Sequence, residues 1–233
     1  MKRNAGKMTN SEHKLDNPVW YSLEEAHQDF SIGYGSLKCY QPDVCPFGGY
    51  EGDSNIAKQV DAYSALIDNF YIVGEKPEFS SRLKLNKELV CLQMIIDDVV
   101  DLDVLEDIIP LSNHRDALFD LVNLVQPGYF KRRTGLLGNY YGIFRNNELV
   151  AVTGERMKMN GFTEVSAVVT HPKHVGNGYA KQLVAFTVGK IFEHGAVPFL
   201  HVAETNVGAI GLYEALGFET RRKISFWNLI QAP

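Results

Sequence analysis

The sequence predicts a mixed α/β fold of the α+β kind, in which a mostly antiparallel central sheet is flanked by helices. Three strand-like runs, YYGIF, LVAVTGERMKM and TEVSAVVT, follow one another with short turns between them, RNNE and Asn160-Gly161. Such tight turns predict an antiparallel meander. The segments AKQLVAFTVGKIFEH, VPFLHVA, VGAIGLYEAL and RKISFWNLI then alternate helix and strand, which makes the predicted sheet a mixed one.

Composition narrows the class of protein. The chain has 233 residues, of which 45% are hydrophobic and 22% charged, as in a soluble globular protein. A formal net charge of -5 argues against a nucleic-acid surface. The three cysteines lack C-x-x-C spacing, so we expect reduced thiols in a cytoplasmic protein. The start lacks the apolar stretch of a secretory signal, and no run is apolar enough to predict a membrane span.

The N-terminal third differs in texture from the remainder. We expect residues 1–15 to be loosely ordered. Asn17 and Pro18 predict a helix start, with Val19, Leu23, Ala26 and Phe30 on one face. A loop, QPDVCPFGGYEGD, a second helix, SNIAKQVDAYSALIDNF, and a strand, FYIVGE, follow. The sequence therefore predicts an N-terminal cap or degenerate half-domain, residues 1–86, packed on a main domain at 87–233. No repeat of fixed period is evident.

The segment HPKHVGNGYAKQL, residues 171–183, places two glycines in a turn between a strand and a helix. Such a turn is either an ordinary tight turn or a cradle for phosphate, because the first N–H groups of a helix are unpaired and carry partial positive charge. The P-loop pattern is absent. A dinucleotide fingerprint would need its third glycine at Lys181, and here the turn follows an antiparallel meander.

Two segments resemble the GNAT superfamily of acyl-CoA N-acyltransferases. VGNGYA is similar to the family's Q/R-x-x-G-x-G/A turn, with Val175, Gly178 and Ala180 at its three positions, although Val175 replaces the usual Gln or Arg. NVGAIGLYEALGF, residues 206–218, resembles the family's N-x-x-A-x-x-L-Y-x-x-x-G-F segment. PVWYSLEEAH, YQPDVCPFGGY, GERM, TEVSAVVTHP and FLHVAETN resemble predicted acetyltransferases related to the glycine N-acyltransferase C-terminal domain.

The resemblance implies direct transfer of acetyl from acetyl-CoA to a primary amine of a small molecule or amino acid, without a metal. It implies that the fourth and fifth strands of the domain splay apart and that the backbone of Ala167, Val168 and Val169 binds the pantetheine arm. The pyrophosphate would bind the turn, and Asn206 would cap a helix, contact the cofactor arm, or both. The turn residues are Val175, Gly176, Asn177, Gly178, Tyr179 and Ala180.

Amine acylation needs a base and an acid. Glu164, fourteen residues before Gly178, is the candidate general base, and its alternative is an exposed strand carboxylate. Tyr213 is the candidate general acid for the thiolate, and its alternative is packing on a helix face. Arg156 and Glu155 in GERM should face opposite sides, so that one lines the acceptor groove.

Two other functional classes stay open on the sequence alone. The first is a non-catalytic acyl-CoA-binding or regulatory module, which Val175 favours. The second is a dinucleotide-binding oxidoreductase, which would bind NADH in place of acetyl-CoA. Zinc at His171 and His174 is disfavoured, because their spacing does not hold two ligands on one helix face.

Overall fold

The structure, a computed structural model, describes residues 11–52, 55–98 and 102–232. The helices are α1 (Pro18–Glu24), α2 (Ile56–Ser64), α3 (Arg115–Val125), α4 (Tyr179–Glu193) and α5 (Val207–Glu214). The strands are β1 (Ser31–Tyr34), β2 (Leu37–Tyr40), β3 (Phe47–Tyr50), β4 (Asn69–Val73), β5 (Leu83–Ile95), β6 (Ile109–Pro110), β7 (Tyr140–Arg145), β8 (Glu148–Met159), β9 (Phe162–Thr170), β10 (Val197–Ala203) and β11 (Glu219–Gln231).

Within the described residues these strands form one sheet in the order β1-β2-β3-β4-β11-β5-β10-β9-β8-β7-β6. Pairing is antiparallel except between β3 and β4 and between β9 and β10. Each parallel pair is joined by a helix, α2 in the first case and α4 in the second. The mixed, mostly antiparallel sheet predicted from the sequence is confirmed.

The strand order is palindromic about the central pair β11 and β5. Moving outward from that pair, β4 matches β10, β3 matches β9, β2 matches β8 and β1 matches β7, with β6 beyond. The chain therefore consists of two halves of like topology. Their central strands are exchanged, since β5 follows β4 in sequence but pairs with β10, while β11 lies between β5 and β4. This repeat of topology has no counterpart in the sequence pattern.

Helices cover both faces of the sheet. Val184 and Val188 of α4 pack with Tyr213 of α5 on Leu200 and Met94, on one face. Leu15, Val19 and Leu23 pack against Phe199 and Phe226 on the other face. In the N-terminal half, α2 places Ile56, Val60 and Tyr63 over Phe70 and Ile72.

The N-terminal third departs from several sequence expectations. Helix α1 starts at Pro18 as predicted but ends at Glu24, before Phe30. The predicted loop contains strand β3, which pairs with β2 and β4. Residues 1–10, part of the expected loose start, lie outside the described residues. Glu12–Asp16, in contrast, form a short 3₁₀ helix with Leu15 fully buried, so the loose start does not extend to Leu15.

The predicted domain boundary at residues 86 and 87 falls inside β5. The strands of the first third, β1 to β4, continue the same sheet beside β11.

The predicted hairpin turns are confirmed, with Asn146, Asn147 and Gly161 at positive φ. None of the helices in the described ranges is long and apolar enough to cross a membrane.

Candidate active site

Strands β9 and β10 diverge after three residue pairs. They are in register from Phe162 to Glu164, opposite Val197 to Phe199, and no later pair joins them in the described part of the chain. The rest of β9 therefore lacks a strand partner on its β10 side. This opening is the splay that the resemblance implied.

A bulge marks the open part of β9. Ala167 has φ +50°, and the register between β8 and β9 shifts between the pairs Val152–Val169 and Gly154–Ser166. A left-handed alanine costs roughly 1–2 kcal/mol. Bulges of this kind re-aim a strand next to a functional site, and this bulge lies beside the cavity described next.

A cavity of about 190 Å³ occupies the gap between the diverging strands. One wall is the backbone and side chains of residues 165–168, and another is formed by the end of β10 with Asn206, Ala209 and Tyr213. The remaining lining includes five aromatic rings, here called the aromatic wall: Phe47, Tyr129, Phe130, Tyr140 and Phe226. Beside them lie Leu89, Cys91, Val122, Gln126, Thr134 and Arg156.

The predicted turn lies at the open end of β9. Gly176 and Gly178 have φ +83° and +75°, and Gly178 directly precedes α4. A Cβ added at either glycine would meet nothing within 4 Å, so their backbone conformation, not crowding, requires glycine. Among the described residues, the N–H groups of 175–180 donate to no protein acceptor. This arrangement can bind an anion.

Side chains add little to that turn. The side chain of Val175 is 64% exposed, and because it is aliphatic it offers no hydrogen bond to a ligand. The side-chain amide nitrogen of Asn177 donates to the His174 carbonyl oxygen at 2.9 Å, a contact within the turn. Tyr179 is buried against Leu183, so only its backbone faces the turn. Any anion held here would be held by backbone.

The predicted pantetheine-binding residues separate into two groups. Ala167 and Val168 line the cavity. Val169 is 5% exposed and packs in the cluster under α3, outside the cavity lining. The bulge at Ala167 explains the difference, because an extra residue alters which side chains face the gap.

Glu164 is buried and fully engaged, unlike the exposed carboxylate that was its alternative reading. Its Oε2 accepts from Arg156 Nε at 2.8 Å and from the Met157 amide at 3.3 Å. Its Oε1 accepts from Arg156 Nη2 at 2.7 Å and from His201 Nδ1 at 2.8 Å. Burial opposes the charge, but Arg156 and His201 outweigh it and lower the pKa of Glu164 to about 2.

A general base works best with a pKa near the operating pH and a lone pair facing the reacting proton. Glu164 has neither property here, because its pKa is about 2 and its four contacts occupy both oxygens. Nor does the carboxylate line the cavity. The sequence-based interpretation of Glu164 as the direct proton acceptor is therefore corrected to that of a buried carboxylate that fixes its two partners.

Gln93 determines the tautomer of His201. Its Oε1 accepts from Arg221 Nη1 at 2.9 Å, which assigns the other amide atom as nitrogen. That nitrogen donates to the Leu15 carbonyl at 2.7 Å and to His201 Nε2 at 3.1 Å. His201 Nε2 therefore accepts, and Nδ1 carries the hydrogen donated to Glu164. Neither ring nitrogen is left to take a proton from a substrate.

Tyr213 and Asn206 both line the cavity. Tyr213 lines the cavity from α5, is 7% exposed and packs on Phe218. Burial raises the pKa of Tyr213 to about 12, so its phenol carries a proton at neutral pH. Asn206 caps α5, with its side chain accepting from the Ala209 amide at 3.2 Å, and it also lines the cavity. The capping role of Asn206 is confirmed.

The remaining candidates divide between the cavity and the surrounding sheet. Arg156 lines the cavity with its guanidinium carbon 4.8 Å from the Phe47 ring centre. Glu155 is buried elsewhere, bonded to Asn139 and Lys158. No group of three or more potential metal-ligating side chains occurs in the described ranges.

Sequence reasoning missed the aromatic wall. Phe47 lies in the stretch predicted as loop, and Tyr129 lies in the loop after α3. Tyr140 starts a predicted strand, but nothing local marks it as a cavity residue. The signal available was Gly154, whose added Cβ would lie 2.2 Å from the Tyr140 ring. This glycine in the middle of a strand indicates close approach of another group.

Comparison with known proteins agrees with this geometry. A family model described as FR47-like protein matches residues 140–227. A GNAT-family structure from Novosphingobium aromaticivorans is 28% identical, with a TM-score of 0.84 over 95% of this chain and 100% of that one. A search of curated proteins finds no match.

Two more distant structures share the fold alone. A GCN5-related N-acetyltransferase from Kribbella flavida is 14% identical, with a TM-score of 0.62 over 97% of both chains. A GCN5-related N-acetyltransferase-like protein from Streptococcus suis is 15% identical, with a TM-score of 0.63 over 92% of this chain and 96% of that one. The chain therefore has the GNAT acetyltransferase fold.

Proposed function

We propose that this protein is an acyl-CoA-dependent N-acyltransferase that moves acetyl directly to a primary amine of a small molecule or amino acid. The observation that carries the proposal is the divergence of β9 and β10, which opens strand edge, bulge and cavity beside the glycine turn. A GNAT fold without this gap would have nowhere to insert a thioester. The finer assignment to the branch related to glycine N-acyltransferase stays a prediction, as does the cytoplasmic location.

On this proposal the backbone holds the acyl donor. The edge of β9 at Ala167 and Val168 takes the pantetheine arm as an added strand would be taken. The free amides of residues 175–180 take the pyrophosphate, with charge supplied by the N-terminus of α4. Val169 is left out of the donor site because it packs under α3.

The chemical step joins the acceptor nitrogen to the thioester carbon and breaks the carbon–sulfur bond. The Val168 N–H polarises the carbonyl as an oxyanion hole does. The Tyr213 hydroxyl gives its proton to the leaving thiolate and recovers one from solvent. The acceptor loses one proton to water at the cavity mouth before the neutral amine attacks, and a second as the amide forms. Glu164 acts in this scheme as a positioning residue, which keeps Arg156 and His201 in place along the cavity wall.

A non-catalytic acyl-CoA-binding module is the second candidate function. The observation that favours it is that Glu164 and His201 both have their proton-accepting atoms occupied. Backbone binding of the donor needs neither side chain. The two candidates therefore differ in turnover, not in donor binding.

Release of free CoA from acetyl-CoA, measured across a panel of small amines and amino acids, separates them. The enzyme proposal expects turnover of at least one acceptor, and loss of that turnover in Tyr213→Phe with unchanged affinity for CoA. Binding of acetyl-CoA without turnover of any acceptor would favour the non-catalytic module. Stabilisation by NADH but not by acetyl-CoA in a thermal-shift comparison would contradict both.

A further inference from the structure

Tyr140 holds a buried hydroxyl that nothing in the described part of the protein pairs. The side chain is 5% exposed, lines the cavity, and its oxygen has no hydrogen-bond partner. Gly154 lets its ring lie against β8, and Phe130 packs edge-on at 5.5 Å. A buried hydroxyl left unpaired opposes folding. A phenylalanine would fill the same space without that cost. The hydroxyl is therefore explained best by a ligand that accepts its hydrogen bond.

Arg156 supplies a second donor in the same cavity. Its Nε and Nη2 are both committed to Glu164, which leaves Nη1 without a hydrogen bond or ion pair among the described residues. Burial alone would lower the pKa of the Arg156 guanidinium, but the Glu164 carboxylate outweighs burial, raises that pKa and keeps the group charged. Glu164 and Phe47 together hold the guanidinium plane in place, so the free nitrogen is pre-oriented.

The other groups around these donors offer little competition. The Thr134 hydroxyl donates to the Val44 carbonyl, and His201 is engaged by Glu164 and Gln93. Tyr129 lies within 3.3 Å of the Tyr71 hydroxyl. The rest of the lining includes the rings of Phe47, Phe130 and Phe226 together with the polar Gln126, Ser166 and Asn206. The cavity thus combines two unpaired donors with aromatic rings and a few polar groups.

We propose that the Tyr140 hydroxyl and Arg156 Nη1 bind the carboxylate of the acceptor, and that the acceptor is an amino acid with an apolar or aromatic side chain. This inference rests on the proposed N-acyltransferase function and specifies its substrate class. A carboxylate accepts from both donors at once, as a charge-assisted pair. An amine without a carboxylate leaves both donors buried and unpaired, which is the stronger source of discrimination. A cavity of about 190 Å³ admits one amino-acid side chain of the acceptor.

Two probes separate the carboxylate from the amine. 3-Phenylpropanoate carries the carboxylate and the ring without an amine, and phenethylamine carries the amine and the ring without a carboxylate. Calorimetric titration of the protein loaded with CoA should show 3-phenylpropanoate binding at least tenfold more tightly. Equal affinity for the two probes, or preference for phenethylamine, would overturn the proposal.

Tyr140→Phe tests the hydroxyl itself, with Tyr63→Phe as the matched control. The Tyr63 hydroxyl is also buried but donates to the Tyr40 carbonyl at 2.9 Å. Tyr63→Phe should lower Tm by about 2–4 °C, the shift typical of one lost hydrogen bond in a chain of this size. Tyr140→Phe should leave Tm unchanged or raise it, and weaken 3-phenylpropanoate about tenfold, as for one hydrogen bond to a charged group. A Tm loss in Tyr140→Phe equal to the control, or unchanged 3-phenylpropanoate affinity, would refute the proposal.

Measurements of turnover then test the carboxylate site separately from the proposed N-acyltransferase function. The value of kcat/KM should be higher for phenylalanine than for phenethylamine or glycine, and Tyr140→Phe should raise KM for phenylalanine alone. Faster acetylation of phenethylamine would overturn the inference and leave the transferase proposal intact. Loss of 3-phenylpropanoate binding in Tyr140→Phe, with no acceptor acetylated by the unaltered protein, would support the carboxylate site and remove the transferase proposal.

Discussion

His201 Nδ1 and Glu164 Oε1 lie 2.8 Å apart, in a buried pair whose members come from neighbouring strands just where those strands begin to diverge. Arg156 completes the cluster from β8, and Gln93 completes it from β5. The network therefore crosses four strands at the base of the cavity. It stiffens the cavity wall, which makes its loss visible in stability as well as in activity.

Glu164→Gln should destabilise the protein by about 3–5 kcal/mol, because it leaves the Arg156 charge buried without its partner. Denaturant unfolding measures this loss. The double variant Arg156→Met, Glu164→Gln should recover part of it, since the uncompensated charge is removed. If Glu164 were only a base, Glu164→Gln would lower kcat and leave the unfolding midpoint where it was.

Acid should destabilise the fold over a pH range that is set by the titration of His27. This side chain is 3% exposed between the Tyr40 hydroxyl and the Leu137 carbonyl, and burial lowers its pKa from 6.5 to about 4. The unfolded chain therefore binds a proton that the folded chain refuses between those values, so stability falls as pH drops from about 6.5 to 4. The shift corresponds to about 3 kcal/mol.

Urea unfolding at pH 7 and pH 4.5 measures that slope, and His27→Gln should flatten it. Below about pH 4.5 a further loss should follow, because the folded pKa of Glu164 is held near 2 and its protonation is deferred relative to the unfolded chain. An unchanged slope in His27→Gln would assign the acid sensitivity to other groups.

Gly178→Ala should destabilise the protein by roughly 1–2 kcal/mol and weaken CoA binding, because the residue has φ +75° and its amide belongs to the turn. Gly189→Ala is the matched control, and it lies inside α4, the helix that Gly178 precedes. Its φ is ordinary and an added Cβ meets nothing within 4 Å, so it should stabilise by about 0.5–1 kcal/mol. Thermal unfolding and CoA titration of both variants test the pair. Equal effects at the two glycines would contradict the role of the turn.

Tyr213→Phe should lower kcat by about 10²- to 10⁴-fold, the usual contribution of general acid–base catalysis. The phenol makes no hydrogen bond within the described residues, and the ring still packs on Phe218, so Tm should hardly change. Steady-state kinetics with a turned-over amine checks the prediction. A wild-type kcat in Tyr213→Phe would leave protonation of the thiolate to water.

Val175→Arg should tighten CoA binding several-fold, because the side chain is exposed at the turn and Arg adds a charged donor to phosphate. Leu66→Arg, at an apolar position that is 51% exposed in the N-terminal half, controls for the change in net charge. Both proteins should fold normally. If both variants gained affinity alike, the effect would be long-range charge and not contact at the turn.

The sequence predicted those parts of the fold that depend on local patterns of residues. The β7–β8–β9 meander, α4 and α5 follow from periodicity and turn residues, and the glycine turn from its motif. Strand β3 was not predicted because Phe47–Tyr50 is four residues long and half glycine. Its pairing with β4 joins Phe47 to Tyr71, 24 positions along the chain. No local pattern specifies that β5 inserts beside β10.

The site divides in the same way. Tyr213 and Asn206, which were singled out by motif position, line the cavity, as do Ala167 and Val168, whereas Val169 does not. The state of Glu164 was not predictable, since it depends on Arg156, His201 and Gln93, which reach it only through sheet register. Burial and ion pairing changed a candidate base into a structural carboxylate.

The exchange of β5 and β11 constrains how the chain is made. The first half of the sheet cannot close until β11, residues 219–231, leaves the ribosome, because β11 is the strand that covers β4. The edge of β4 stays open until residues 219–231 have been made, a state in which exposed strand edges attract other chains. Folding of both halves must therefore wait for β11. Deleting residues 219–231 should leave both halves of the nascent sheet dependent on chaperones.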